Sequence, residues 1–127
     1  MALTFDEICI DATDPTALGK WWSQALGWPH YVDEDGDVRL SAPPGAGPNW
    51  MFLRVGDLGD RRIVKNRIHF DFRPDDQHAE VERLLKLGAR HADIGQGEQS
   101  WMVLADPEGN EFCVLAVVQT GAVPDSH

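Results

Sequence analysis

Apolar residues recur along this chain at two spacings, and the succession of spacings in the first half is repeated in the second. Residues 3–10 alternate loosely between apolar and polar and carry β-branched and aromatic side chains, which predicts a strand. Asp14 and Pro15 then supply a helix N-cap and a proline suited to the first helical position. Leu18, Trp21, Trp22, Ala25 and Leu26 follow at helical spacing, and Gly27 supplies the stop. Three short strands are expected over residues 28–32, 38–42 and 50–55, parted by the turn Asp33-Glu34-Asp35-Gly36 and a proline- and glycine-rich loop over 43–48. Residues 56–67 are polar, carry Gly56 and Gly59, and read as a connector.

The plan then starts again. Residues 68–72 alternate as a strand, Asp75 or Asp76 caps a helix whose Val81, Leu84 and Leu85 form one stripe, and Gly88 ends it. Residues 89–93, 100–105 and 112–118 complete three more strands. Gly27 and Gly88 stand 61 positions apart, as do Asp14 and Asp75. That period is long for a solenoid, so two copies point to duplication inside one domain. The expectation is an α+β chain of two tandem β-α-β-β-β modules: about 3–57, a connector over 56–67, and about 68–118. Together they form a single domain over 1–118, and the tail 119–127, without periodicity, is expected to fray.

Composition narrows the function. With 127 residues, 43% of them hydrophobic, the chain can build a core without disulfides or a structural metal. It has no apolar run approaching about 18 residues, and its N-terminus lacks the basic-then-apolar order of a secretory signal, so a cytoplasmic location is expected. Cys9 and Cys113 lie in apolar stretches that read as buried strands, the usage of a reduced intracellular protein. Against 11 basic residues stand 21 acidic ones, a net charge of −10 that repels phosphate backbones and anionic membranes. Neither nucleic acid nor a membrane is an expected partner.

Two stretches carry a family likeness. ICIDATDPTALGKWWSQALGW (8–28) looks like the opening strand, D-P helix cap and L-G-aromatic helix end of glyoxalase-like proteins. KNRIHFDF (65–72), LGAR (87–90) and ADPEGNEFCVL (105–115) together resemble a bacterial glyoxalase-like subgroup. Over roughly residues 5–118 the chain therefore resembles the glyoxalase/bleomycin-resistance/dioxygenase, or vicinal oxygen chelate, superfamily. The resemblance implies a cup-shaped, eight-stranded mixed sheet, four strands from each module, with the ligand inside the cup. Glyoxalases and extradiol dioxygenases of this superfamily place a divalent metal there, which holds two neighbouring substrate oxygens.

In the family pattern the first-strand ligand lies seven residues before the helix-capping aspartate. Counting back from Asp14 reaches Glu7, and from Asp76 reaches His69. A further ligand position lies three residues past the asparagine of D-P-x-G-N, which is Cys113, and its counterpart in module one is read as Phe52. Phenylalanine cannot ligate and thiolate favours softer ions such as zinc, so no cofactor is expected; a divalent metal, if held, would rest on Glu7 and His69. His69 beside Asp71 has two uses open, a structural hydrogen bond or acid/base chemistry. Glu7 is either its partner or a solvated edge residue, and Cys113 either reaches the cup floor or packs as a small hydrophobe.

Five tryptophans are many for this length, and Trp50 and Trp101 fall in corresponding regions of the two modules. Pointing inward, they would form a stacking wall for a planar ligand; one residue of register reverses that. Arg61, Arg62, Lys65 and Arg67 concentrate positive charge in the connector, where Arg67 either meets an anionic ligand or ties the modules together. The expected ligand contacts are thus Trp50, Trp101, Phe52, Cys113 and Arg67 around His69 and Glu7, the latter pair pointing into one cavity.

Two functions stay open on the sequence. One is a lyase or isomerase acting on a small oxygenated compound, with His69 as acid/base and Glu7 as its partner. The other is a non-catalytic binding protein of the bleomycin-resistance type that sequesters a planar or cationic drug. Short strands with open edges predict a homodimer in either case.

Overall fold

The computed structural model describes residues 3, 5–54, 68–92 and 101–116. The chain divides into two compact units, Met1–Asp60 and Arg61–His127. The connector and tail read from the sequence lie largely outside the described residues.

The first unit runs β1 (Glu7–Ala12), α1 (Pro15–Leu26), β2 (His30–Val32), β3 (Val38–Leu40) and β4 (Asn49–Arg54). Its sheet has the order β1-β4-β3-β2, with β1 parallel to β4 and the other neighbours antiparallel. The second unit repeats this with β5 (Phe70–Phe72), α2 (Gln77–Leu87), β6 (Arg90–His91), β7 (Met102–Ala105) and β8 (Glu111–Val114). Its order is β5-β8-β7-β6, again with the first strand parallel to the last. The predicted α+β class and the doubled β-α-β-β-β plan are those of the molecule, with every strand but β4 shorter than the sequence pattern drew it.

Both helices begin and end by the same chemistry. The carboxylates of Asp14 and Asp76 accept from the backbone N–H of Ala17 and Ala79, each at 3.1 Å, and so satisfy a first-turn donor. Asp76 rather than Asp75 is the cap, which sets the repeat at this point to 62 positions (76 against 14). Gly27 and Gly88 close the helices in the left-handed conformation, at φ 71° and 118°, where a side chain would be strained.

The core of the first unit is aromatic. Leu18, Trp21, Trp22 and Ala25 of α1 are buried with Val38, Leu40, Trp50 and Phe52 of the sheet. The Trp22 and Trp50 rings stand 5.3 Å apart, and Trp28 meets Trp50 at 5.9 Å. Gly19 lets α1 approach this closely, since a Cβ there would fall 2.5 Å from Val38 Cβ. In the second unit the corresponding helix position is Val81, buried with Leu84, and α2 lies against β8, whose Phe112 meets Phe72 at 5.9 Å.

One tight turn is used twice. In Asp33–Asp37 and Asp106–Asn110 the aspartate Oδ1 accepts from the backbone N–H two and four residues on, and the glycine N–H donates to the aspartate carbonyl. The two turns are not repeat equivalents, since the first joins β2 to β3 and the second β7 to β8. No helix among the described residues is long and apolar enough to cross a membrane.

Candidate functional site

Strand alternation sorts each sheet into a face under the helix and a face away from it. In the second unit Asp71 pairs with Cys113, and Cys113 with Val103, so these three share the face away from α2. His69, two residues before Asp71, joins them: its Nε2 lies 3.3 Å from Asp71 Oδ1. One donor atom each from His69, Asp71 and Cys113 all lie within 4.8 Å of one another. Cys113 is 2% exposed, whereas His69 and Asp71 keep part of their side chains in solvent. Phe70, Phe72, Phe112 and Val114, at the alternate positions, belong to the opposite face. The fold thus gathers an imidazole, a carboxylate and a thiol on one patch of β5 and β8.

The corresponding patch of the first unit is built from Glu7 and Cys9 of β1, Met51 of β4 and Arg39 of β3, where Cys9 pairs with Met51 and Met51 with Arg39. Glu7 is the hub. Arg39 Nη2 stands 3.7 Å from its carboxylate, and the Cys9 thiol donates to it across 3.9 Å. Loss of solvent, followed by the charge and hydrogen bond of Glu7 and the charges of Asp11 and Asp6, pushes the Cys9 thiol above its ordinary pKa. A thiol so placed stays protonated at neutral pH and is a poor nucleophile. Cys9 is exposed, in contrast to the buried position its apolar neighbours implied, while Cys113 is buried as expected.

Two expected ligand contacts lie elsewhere. Trp50 (5% exposed) and Phe52 (fully buried) face α1 and pack in the core, so they do not line the open face of their sheet. The reason is register. The partner of Cys9 is Met51 and the partner of Asp71 is Cys113, so the module-one counterpart of Cys113 is Met51, not Phe52. A shift of one residue along a strand moves every side chain to the other face. Trp101 is half-buried two residues before Val103, at the entrance to β7. Arg67 lies outside the described residues, as do Arg61, Arg62 and Lys65. Glu7 stands in the first unit and His69 in the second.

Asp71, Arg39 and Met51 belong to these patches and are absent from the sequence-based set. Asp71 was within reach, because a residue two positions along a strand from His69 shares its face. Arg39 and Met51 needed the strand pairing itself.

The donor types test the metal that the family resemblance implies. Its four positions are filled by Glu7, Met51, His69 and Cys113. A thioether and a thiol at two of them do not suit an ion that prefers oxygen donors, and the residues present do not fit that metal. The acidic trio Asp33, Asp35 and Asp37 is also compact, but Asp33 is engaged in shaping its turn and Asp37 in accepting from the Arg54 backbone N–H.

Residues 7–115 match the family described as glyoxalase-like domain. Solved structures share the fold. TnmS3, an antibiotic binding protein from Streptomyces sp. CB03234, is 17% identical at a TM-score of 0.62, over 93% of this chain and 99% of its own. A glyoxalase/bleomycin resistance protein/dioxygenase family enzyme from Burkholderia phytofirmans PsJN is 16% identical at a TM-score of 0.66, over 89% and 98%. The fosfomycin resistance protein FosX from Mesorhizobium loti is 14% identical at 0.65, over 94% and 96%. At these identities the likeness is one of fold alone. No match is found among curated protein sequences.

Proposed function

The chain belongs to the glyoxalase-like domain family, and we propose that it binds a small oxygenated or planar organic molecule and acts on it as a lyase or isomerase. The observation that carries this reading is the His69–Asp71 pair at 3.3 Å. A carboxylate at Nε2 favours the proton on that nitrogen, the tautomer in which Nδ1 is the basic ring nitrogen, and a base of this kind suits proton abstraction from a carbon beside a carbonyl. This proton chemistry needs no cofactor. Glu7, at the repeat-equivalent position of the other module, is proposed as a second acid/base residue. Trp101 and Cys113, with Arg67 from the connector, are the remaining proposed ligand contacts.

A second reading, a binding protein without chemistry, draws on one neighbour of this fold being an antibiotic binding protein. One experiment separates the two. The full chain is screened by thermal shift against α-keto acids, catechols and planar aromatic cations, and each stabilising compound is then incubated with it and followed by chromatography. The enzyme reading expects conversion of a bound compound and its loss in His69→Gln with binding retained. Tight binding with the compound recovered intact in every case selects the second reading.

The reading includes a cytoplasmic homodimer. The edge strands of each sheet, β1 and β2 in one and β5 and β6 in the other, support the dimer, while the net charge of −10 separately disfavours nucleic acid as a partner. Light scattering that gives a 14.1 kDa particle at micromolar concentration would overturn the dimer.

A further inference from the structure

The metal of the family does not suit the donors of this chain, and on the second patch the residue that departs from it, Cys113, is a thiol with an imidazole and a carboxylate beside it. We propose that Cys113 is a nucleophile, with His69 as its general base and Asp71 positioning that base, and that it adds covalently to a small α,β-unsaturated carbonyl compound. A sulfur nucleophile, a base within reach of it and a carboxylate that orients the base are the parts such chemistry needs. One module supplies all three. A ring nitrogen of His69, a carboxylate oxygen of Asp71 and the Cys113 sulfur lie within 4.8 Å of one another, and Asp71 Oδ1 stands 3.3 Å from His69 Nε2. Catalytic hydrogen bonds are often long before a ligand binds and tighten around it.

The backbone keeps the three together: Asp71 and Cys113 are paired on neighbouring parallel strands, and His69 is two residues from Asp71 on the same face. Burial then selects the electrophile. Cys113 is 2% exposed, whereas 29% of the His69 side chain and 37% of that of Asp71 meet solvent, so the cluster opens at its base and the thiol admits only a slender molecule. The step balances without a co-reactant. His69 takes the thiol proton as sulfur bonds to the β-carbon, the C=C π electrons move toward the α-carbon and its carbonyl, and the imidazolium returns that proton to the α-carbon. A thioether results, with no leaving group and no net oxidation. Module one lacks this arrangement although its cysteine is exposed. Cys9 has Glu7 and Arg39 on its face, and loss of solvent followed by the charge of Glu7 raises its pKa. The described histidine of that module, His30, is turned toward α1, where its Nδ1 meets Ser23 Oγ at 3.1 Å.

This goes beyond the proton abstraction proposed above, since the proton leaves sulfur rather than a substrate carbon. The test treats the full chain with methyl vinyl ketone, a small enone, and in parallel with a bulky pyrenyl maleimide, and follows Cys113 and Cys9 separately by peptide mass spectrometry. The enone should label buried Cys113 faster than exposed Cys9, and the maleimide should label Cys9 alone. His69→Gln should slow the enone at Cys113 by about 100-fold or more, the lower end of general-base catalysis, and leave the rate at Cys9 unchanged. Asp71→Asn should slow it less, and Asp71→Glu should restore part of the rate. Circular dichroism confirms that each variant is folded; if His69→Gln does not fold, the two probes on the parent chain decide. Slower labelling of Cys113 than of Cys9 by the enone overturns the inference, as does a His69→Gln rate equal to or above that of the parent. Comparable labelling of both cysteines by the maleimide also overturns it, because opening of the sheet then exposes the thiol. Labelling of Cys113 as expected in a chain that converts no screened compound overturns only the enzyme reading. His69-dependent conversion in a chain whose Cys113 resists the enone overturns only this inference.

Discussion

The two modules share a backbone plan and differ on both faces of their sheets. Under the helix, module one packs tryptophan on tryptophan and keeps a glycine, Gly19, where α1 crosses Val38; module two places Val81 at that helix position and pairs Phe72 with Phe112. On the face away from the helix, module one carries Glu7, Cys9, Arg39 and Met51, and module two His69, Asp71, Val103 and Cys113. The helix-side faces differ in shape but both remain apolar, since each must bury a helix stripe. The faces away from the helices do not carry that demand: buried Val103 and Cys113 there stand beside the part-exposed His69 and Asp71, and the two modules differ in chemistry. The repeated plan thus gives two equivalent platforms, of which the second carries the imidazole, carboxylate and thiol.

The largest expected effect tests the separation of faces. Trp50→Ala removes a buried ring from beneath α1 and should cost about 3–5 kcal/mol, read by urea denaturation followed by circular dichroism. Arg39→Ala, on the opposite face and in a largely solvated ion pair with Glu7, should cost about 0–1 kcal/mol. Equal costs would mean that the faces are not divided as described.

The helix crossing comes next. Gly19→Ala should destabilise by about 1–3 kcal/mol through overpacking against Val38. Combined with Val38→Gly, which also removes the Cβ that stands 2.5 Å away, it should cost less than the two changes added, with a coupling of about 0.5–3 kcal/mol in a double-mutant cycle. Strict additivity would show that the helix had shifted instead.

A smaller effect measures what the modules keep in common. Asp14→Ala and Asp76→Ala each remove a cap accepting at 3.1 Å and should each cost about 1 kcal/mol. A large inequality in thermal melting would break the equivalence of the two helix starts.

The last is kinetic. With its pKa raised by loss of solvent and by Glu7, Cys9 has a smaller thiolate fraction at neutral pH than a free cysteine and should be alkylated more slowly despite its exposure. Glu7→Gln removes a carboxylate that opposes ionisation, lowers the pKa, and should speed the reaction at the same pH. Peptide mass spectrometry reads the rate at Cys9 separately from that at buried Cys113.

How much of this was legible from residues alone varies with the kind of interaction that decides each feature. Asp14-Pro15, Gly27 and Gly88 announce their helix ends because capping and left-handed closure are local. The D-x-x-G turns at Asp33 and Asp106 are legible for the same reason, since their hydrogen bonds span four residues. The choice between Asp75 and Asp76 was not, because either carboxylate could reach a first-turn N–H. That single position then propagated. A repeat counted as 61 pairs Cys113 with Phe52, whereas the strand pairing gives Met51.

The sequence by itself determined the doubled β-α-β-β-β plan, the helix limits other than the choice between Asp75 and Asp76, and the apolar stripes, because periodicity and capping are written in neighbouring residues. Only the tertiary structure decided which face each strand residue takes. Facing depends on hydrogen-bonded pairing between strands some 40 positions apart, such as Asp71 with Cys113. That pairing sent Trp50 and Phe52 into the core, brought Asp71 and Cys113 to His69, and left Cys9 in solvent among carboxylates.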